Sequence, residues 1–192
     1  MTQIDAINRM LRYIGELPVP NDIAIDDLPE GHEAVYARTI LQETLREEQE
    51  ERWWFNSFTT TFVPNTAGYI TLPYNLISLQ STVTSKKYIA NGNALYDVIN
   101  ETKIFIEPVE LKILLEIPFE DVHDVFRTYV VLKAAKQLHT YLNADASTQQ
   151  ELLSSLQLQR IKVDRENLRQ VKTNFIKGTK LVDRSSNPTI LG

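Results

Sequence analysis

The sequence contains no cysteine and only six glycines among its 192 residues. The absence of cysteine excludes a disulfide-bonded scaffold, zinc-thiolate and iron–sulfur sites, and catalysis by a thiol. The few glycines occur in none of the patterns GxGxxG, GxxxxGK[ST] or GxSxG, which build phosphate-binding loops and the nucleophile turn of hydrolases. Nucleotide-binding enzymes and serine hydrolases of these types are therefore disfavoured.

Metal-binding patterns are missing as well. His123 and His139 do not lie on neighbouring turns of their predicted helix, and no HExxH pair occurs. The loop with Asp22, Asp26 and Asp27 lacks the glycine and the terminal glutamate of an EF-hand, so helix capping and solvation explain it better than Ca²⁺ binding. The sequence predicts no metal ion and no cofactor.

Carboxylates do occur side by side, as at Glu120 and Asp121. A glycosidase holds two carboxylates across a cleft and raises the pKa of one by burial, which adjacent residues on one surface helix do not achieve. Because no catalytic residue can be assigned, we predict that the protein is not an enzyme.

The chain also lacks an excess of positive charge, since 20 Lys and Arg residues stand against 25 Asp and Glu residues, for a formal net charge of −5. This balance disfavours a protein that grips nucleic acid by its phosphates or binds an anionic membrane surface. No apolar run approaches the roughly 20 residues that span a bilayer. The N-terminus has no signal-peptide pattern, so we expect synthesis in a cytoplasm and no membrane association.

The spacing of the apolar residues is helical in the first and last thirds of the chain and strand-like in the middle third. Helical spacing predicts four helices, over residues 3–14, 29–52, 121–142 and 147–174. We expect an α+β fold: a bundle of four helices with an inserted small antiparallel β domain and an extended C-terminal tail. The helical part is expected at residues 1–56 and 119–175, the inserted β domain at residues 57–118 and the tail at residues 176–192.

Turn residues predict how the β segment pairs. The stretch 64–68 separates two β-prone runs, so we expect a hairpin between 58–62 and 69–72. Asn91-Gly92 is a strong signal for a second tight turn. Further strands are expected over residues 76–83, 103–106 and 111–117.

Helix boundaries and the C-terminus carry further expectations. Pro29 is expected to open the second helix and Asp121 to cap the third. The fourth helix would be about 40 Å long, so one end should project or pack on a neighbouring subunit. The tail ends on the apolar residues Ile190 and Leu191, which favours docking on a partner.

Several short motifs follow one another in a characteristic order over residues 4–142. They are Ala6-Ile7-Asn8-Arg9-Met10-Leu11, Ile14-Gly15-Glu16-Leu17-Pro18-Val19, Arg46-Glu47, Trp53-Trp54-Phe55-Asn56, Leu72-Pro73, Leu95-Tyr96-Asp97, Ile117-Pro118-Phe119-Glu120-Asp121 and Lys133-Ala134-Ala135-Lys136. In this order the sequence resembles the head-to-tail adaptors of short-tailed bacteriophages, the tail tubular protein A or gatekeeper family.

The resemblance implies a structural protein of the virion at the head–tail interface, made in the host cytoplasm. That family forms a ring of twelve subunits below the portal, joins the portal to the nozzle protein (tail tubular protein B) and lines the channel through which DNA leaves. The implied partners are therefore further copies of the chain, the portal protein and the nozzle protein, with tail fibres as an additional candidate. DNA would pass through without specific binding.

Three groups of residues are candidates for these contacts. Portal or subunit contacts are expected at Arg165, Arg169, Ile190 and Leu191. Nozzle or fibre contacts are expected at Asn65, Thr66, Gly68, Asn91, Gly92 and Asn93. An acidic lumen, which would let DNA slide, is expected at Glu47, Glu48, Glu50 and Glu51. For each group the simpler interpretation is an ordinary solvated loop or helix face.

Two other classes of function stay open on the residues alone. The chain could be a soluble binding or regulatory module that is not part of a virion, or a small cell-wall hydrolase. A regulatory module should be absent from purified particles, and a hydrolase should lose activity when one carboxylate is removed.

Overall fold

The computed structural model describes residues 1–28, 32–142 and 145–178, with side chains in the last helix as far as Val171. Within these ranges the chain forms four α-helices, a 3₁₀ turn at Ile25–Asp27 and two small antiparallel sheets. The predicted α+β class is confirmed.

The first helix, α1, spans Gln3–Tyr13 and begins with a reciprocal cap. Thr2 Oγ1 accepts a hydrogen bond from the Asp5 amide at 3.2 Å, and the Asp5 carboxylate accepts one from the Thr2 amide at 2.9 Å. Two of the amides that a helix start leaves unpaired are thereby satisfied. The chain leaves the helix through Gly15, whose φ of 78° is a conformation that glycine adopts readily.

The second helix, α2, spans Glu33–Gln49 and is shorter than the predicted 29–52. The predicted start, Pro29, lies outside the described residues. His32 caps the helix, because its Nδ1 accepts a hydrogen bond from the Ala34 amide at 3.0 Å.

The end of α2 is set by side chains that follow it. Trp53 Nε1 donates to the Glu48 carbonyl at 2.6 Å, and Asn56 Nδ2 donates to the Gln49 carbonyl at 2.8 Å. These bonds satisfy carbonyls that a helix end leaves free, so the helix stops before Arg52.

The third and fourth helices, α3 and α4, span Asp124–Tyr141 and Ala146–Gly178. The prediction that Asp121 caps α3 is wrong. His123 is the capping residue, with its Nδ1 accepting from the Val125 amide at 3.4 Å, because α3 begins at Asp124 and Asp121 belongs to the turn before it. The third helix packs against the other three helices.

Five strands form the two sheets. The first sheet has the order β1-β5-β2 and is antiparallel, with β1 at Ser57–Phe62, β2 at Leu76–Ser81 and β5 at Val109–Leu115. The second is a hairpin of β3 at Tyr88–Asn91 and β4 at Ala94–Asp97. The tight turn predicted at Asn91-Gly92 is confirmed, and Gly92 supplies its positive φ of 66°.

The hairpin predicted between 58–62 and 69–72 is wrong. Its turn forms, because the Asn65 amide donates to the Tyr69 carbonyl at 2.9 Å, but the returning segment does not pair with β1. β5 occupies that place as the central strand of the sheet, with Val109, Leu111 and Ile113 buried on one face between exposed residues. The returning segment instead bridges to β4 at Thr71.

The strand predicted over 103–106 is also wrong. There the chain turns back on itself, and the backbone groups of Thr102 pair with those of Asp97. The strands predicted over 76–83 and 111–117 are formed with shifted ends, as β2 and β5.

The buried side chains form two separate hydrophobic clusters. The larger cluster draws on all four helices and includes Met10, Leu41, Phe126, Leu138 and Leu152. The smaller cluster lies in the β part and includes Ile70, Leu72, Leu95, Leu111 and Ile113. Each part therefore has a core of its own and leaves its outer surface available to other molecules.

Candidate functional site

No group of three or more His, Asp or Glu side chains in the described ranges is arranged to hold a metal ion. Among those same residues, no helix is both long enough and apolar enough to cross a membrane. The structure instead concentrates its charged groups where α4 meets α2 and α3, around Arg160.

Arg160 contacts three carboxylates, one in the last turn of α2, one just after that helix and one on α4 itself. Its Nη2 lies 2.9 Å from Glu51 Oε2, its Nε lies 3.1 Å from Asp164 Oδ1, and its Nη1 lies 3.7 Å from Glu48 Oε2. Because Glu48 lies in the last turn of α2 and Glu51 follows that helix, while Arg160 and Asp164 belong to α4, this group of ion pairs fastens α4 to the body of the helical part.

The same guanidinium also stacks on aromatic rings. It lies 5.1 Å from the ring centroid of Trp53 and 5.5 Å from that of Tyr129. Burial opposes the charge, but hydrogen bonds to Glu51 and Tyr129 outweigh it, and the pKa of Arg160 is raised above its ordinary value. Burial also raises the pKa of the Tyr129 phenol. Arg160 therefore stays charged in a half-buried site.

Glu48 is the buried member of the acidic run, with 5% of its surface exposed. Lys133 of α3 bonds to its Oε1 and lies 3.9 Å from Glu47 Oε2. Burial lowers the pKa of Lys133, but the hydrogen bond to Glu48 outweighs this and the pKa is raised. The interpretation of this run as one solvated face is therefore wrong for Glu48, which pairs with cations from two other helices.

The helical and β parts are joined by the side chain of Gln49, which is fully buried. Its Nε2 donates to the Ile117 carbonyl at 2.9 Å, and its Oε1 accepts from the Ile117 amide at 2.7 Å. Ile117 lies between β5 and α3, so this amide fixes the end of α2 to the exit from the sheet.

The aromatic block after α2 forms the corner between helices and sheet. Trp53 is 2% exposed and packs edge-on against Phe126 with 5.1 Å between ring centroids. The Trp54 amide donates to Asn167 Oδ1 of α4 at 3.1 Å. The block is thus a packed corner, and it also contacts α4.

The sequence model of the tail tubular protein family matches residues 4–184. The chain belongs to this family. Tail tubular protein A of Klebsiella phage KP34 is 30% identical to it over 143 residues, which are 74% of this chain and 73% of that protein. The resemblance inferred from the motifs is confirmed, and the chain is a structural protein of a phage tail. The match also includes α4, which those motifs did not reach.

On this tail tubular protein, the predicted portal or subunit residues divide into two groups. Arg165 and Arg169 lie exposed on α4, and Arg169 Nη2 lies 2.7 Å from Glu166 Oε1. Ile190 and Leu191 lie outside the described residues.

The first predicted nozzle loop contains Asn65, Thr66 and Gly68. Asn65 Oδ1 accepts hydrogen bonds from the amides of Ala67 and Tyr69 at 3.0 and 2.9 Å, which holds the turn closed. Gly68 has a φ of 83°, and a Cβ there would lie 2.8 Å from a neighbouring side chain, so glycine is required on two grounds.

The second predicted nozzle loop, Asn91 to Asn93, is exposed and open around Gly92. Thr71 lies opposite Ala94 in an antiparallel pairing. The loop at 65–68 precedes Thr71 and the loop at 91–93 precedes Ala94, so they lie at opposite ends of this pairing and do not form one tip.

The four predicted lumen carboxylates are not equivalent. Glu47, Glu50 and Glu51 are exposed, whereas Glu48 is turned inward. Glu51 is bound to Arg160, so within the described structure Glu50 is the member of the run with no ion pair. That this run faces a channel stays a prediction.

Sequence reasoning missed the structural roles of Arg160, Gln49 and Asn8. Asn8 is buried in α1 and binds both backbone groups of Val19, with its Nδ2 2.9 Å from the carbonyl and its Oδ1 2.8 Å from the amide. The available signal was a polar residue interrupting an apolar helical face, which a buried hydrogen bond or ion pair can explain.

Proposed function

We propose that this tail tubular protein is a head-to-tail adaptor. It forms a ring, of twelve copies, that joins the portal to the nozzle protein, tail tubular protein B, and lines the channel for DNA ejection. The observation that supports this role best is the pair of separate hydrophobic clusters, because a chain with two independently packed parts can bind a different partner at each.

In this proposal the helical part binds the portal and neighbouring copies. Arg165 and Arg169 on α4 are candidates for either contact, and Ile190 and Leu191 of the tail dock on the portal. The β part binds the nozzle through the loops at 65–68 and 91–93, with tail fibres as a further candidate for the same loops.

The proposed channel surface does not hold DNA. The net charge of −5 makes each copy a weak binder of phosphate groups, and a ring of acidic subunits repels the DNA backbone. Glu47 and Glu50, which are exposed at the end of α2, are the candidates for this surface. The role needs no catalysis and no cofactor.

Electron microscopy of the purified protein, alone and mixed with the portal of the same phage, tests the proposal. The expected result is an additional ring at one end of the portal. A folded protein that fails to associate at several salt concentrations would contradict it. Detection of the chain in purified particles separates the adaptor from a module that is not part of the virion.

A further inference from the structure

One face of α4 carries exposed apolar residues between positions 158 and 168. Leu158, Ile161 and Leu168 are 63%, 47% and 59% exposed, and together with Arg165 they recur at helical spacing on one side. The opposite side of α4 is packed on the helical core at Val163. We call these four exposed residues the α4 stripe.

Positive charge borders the α4 stripe. Lys162 and Arg169 lie along one edge of it and Arg165 lies within it, and Lys162 and Arg165 form no ion pair within the described residues. If two copies paired stripe to stripe about a two-fold axis, the same basic side chains would face each other, which is unfavourable. The surface that covers the stripe must therefore be a different one, and it should offer aromatic or acidic groups.

The chain has such a surface at the other end of α3. Tyr36 and Tyr141 are 50% and 64% exposed, and their rings lie 6.0 Å apart. Leu142 adds apolar surface, Glu33 lies one turn before Tyr36 on α2, and the exposed Asp145 carboxylate lies at the start of α4. We call these five residues the aromatic patch. Guanidinium groups stack on tyrosine rings and pair with carboxylates, so the patch complements the stripe.

The two surfaces cannot meet within one chain. Gln159 Nε2 donates to the Val125 carbonyl at 2.9 Å, which places the α4 stripe level with the first turn of α3. Tyr141 is in the last turn of α3, about 24 Å away along a helix that rises 1.5 Å per residue. Any contact between stripe and patch therefore joins two molecules.

We propose that the α4 stripe of one copy binds the aromatic patch of a second copy. This inference rests on the proposed ring and names its lateral contact. Because the two surfaces differ, the contact is head-to-tail, and repetition of a head-to-tail contact closes a ring when the rotation allows it.

Cross-linking tests the contact directly, because the chain has no cysteine of its own. Lys162→Cys and Leu142→Cys lie at the edges of the two surfaces and leave Arg165 and both tyrosines in place. Mixed in the presence of portal and treated with a short thiol-to-thiol cross-linker, the two variants should give a covalent dimer. A chain carrying both changes should give a ladder of oligomers.

The control pair combines Lys162→Cys with Val63→Cys, an exposed position of the β part, and it should give no dimer. A dimer from Lys162→Cys alone in equal yield, or cross-linking of this variant to the portal instead, would overturn the inference. Rings that form by electron microscopy without the Lys162–Leu142 cross-link would overturn it and leave the proposed function standing.

A charge on the stripe provides the second test. Leu168→Glu should lower the fraction of protein in rings at least about tenfold, since one buried apolar contact at an interface is worth that much. Val63→Glu changes an exposed apolar residue on the β part and should leave assembly unchanged. Both variants should keep the unfolding midpoint of the parent. Normal rings from Leu168→Glu contradict the lateral contact, whereas a parent chain that never forms rings contradicts the proposed function as well.

Discussion

At the residue scale, the Arg160 side chain contacts residues of three helices, α2, α3 and its own helix α4. Arg160→Ala should lower the free energy of unfolding by about 1–3 kcal/mol, because Glu48 stays buried with Lys133 as its remaining cation. Urea denaturation measures the change. Arg165→Ala changes an exposed arginine on the same helix and should leave the midpoint unchanged. Equal effects of the two variants would show that burial of the Glu48 pair does not matter.

Asp97, at the end of β4, accepts hydrogen bonds that favour its charged form. Its Oδ1 accepts from the amides of Ile99 and Asn100 at 2.9 and 3.0 Å, and its Oδ2 accepts from Asn100 Nδ2 at 2.8 Å. Burial raises the pKa of this carboxyl, but the bonds from Asn100 and Ile99 outweigh it and the pKa lies below the ordinary 3.8.

This lowered pKa predicts a loss of stability in acid. The unfolded chain binds a proton at Asp97 at higher pH than the folded chain does, so the stabilisation is present above pH 3.8 and is lost as the pH falls below it. Asp97→Asn keeps one acceptor oxygen and removes the titration. Urea denaturation at a series of pH values measures the effect. As the pH is lowered below 3.8, the free energy of unfolding of the variant should decrease less steeply than that of the parent. Parallel pH profiles for the two proteins would contradict the prediction.

At the scale of elements, the Gln49 side chain connects α2 to the exit from β5. Gln49→Ala should lower the free energy of unfolding by about 2–3 kcal/mol, because both backbone groups of Ile117 lose their partner in a buried site. Gln49→Glu keeps the acceptor for the Ile117 amide but sets a carboxylate against the carbonyl, so it should also destabilise. Gln42→Ala, on the exposed side of the same helix, is the matched control for urea denaturation. If Gln49→Ala matches this control, the connection contributes nothing to stability.

The helices could be predicted because the helical spacing of apolar residues can be read from a short stretch of sequence. The end of α2 could not, since it depends on how Trp53 and Asn56 fold back onto the helix. The partner of β1 could not be predicted either. The turn at Asn65 suggested that β1 pairs with the segment directly after it. The partner of β1 is instead β5, about 50 residues further along the chain.

The candidate surfaces were predictable to different degrees for the same reason. Asn91-Gly92 is recognisable because turn chemistry is local, and its exposure follows from the turn. Glu48 looks like its acidic neighbours in the sequence. It differs from them only because Lys133 and Arg160, which are far away along the chain, come to lie beside it.

At the scale of the whole molecule, α4 packs on the helical core with one side and exposes apolar residues on the other. Among the described side chains it exposes more large apolar residues than any other helix. Assembly should therefore slow amide hydrogen exchange over residues 158–168 by at least about tenfold, because a partner that covers the helix suppresses its local opening. Amides of α1, which already pack in the core of the isolated chain, should change little. Mass spectrometry of exchange with and without the portal measures both. Unchanged exchange in 158–168 within assembled rings would contradict the prediction.

The packed corner also has an optical consequence. The chain has two tryptophans, Trp53 and Trp54, and both lie where α2 ends, the sheet begins and α4 passes. Their fluorescence therefore reports on one location, although the chain has 192 residues. A shift in emission during assembly would report a change in the surroundings of this corner, beside Arg160 and Asn167. An unlabelled protein could thus be followed in real time while it joins its partners.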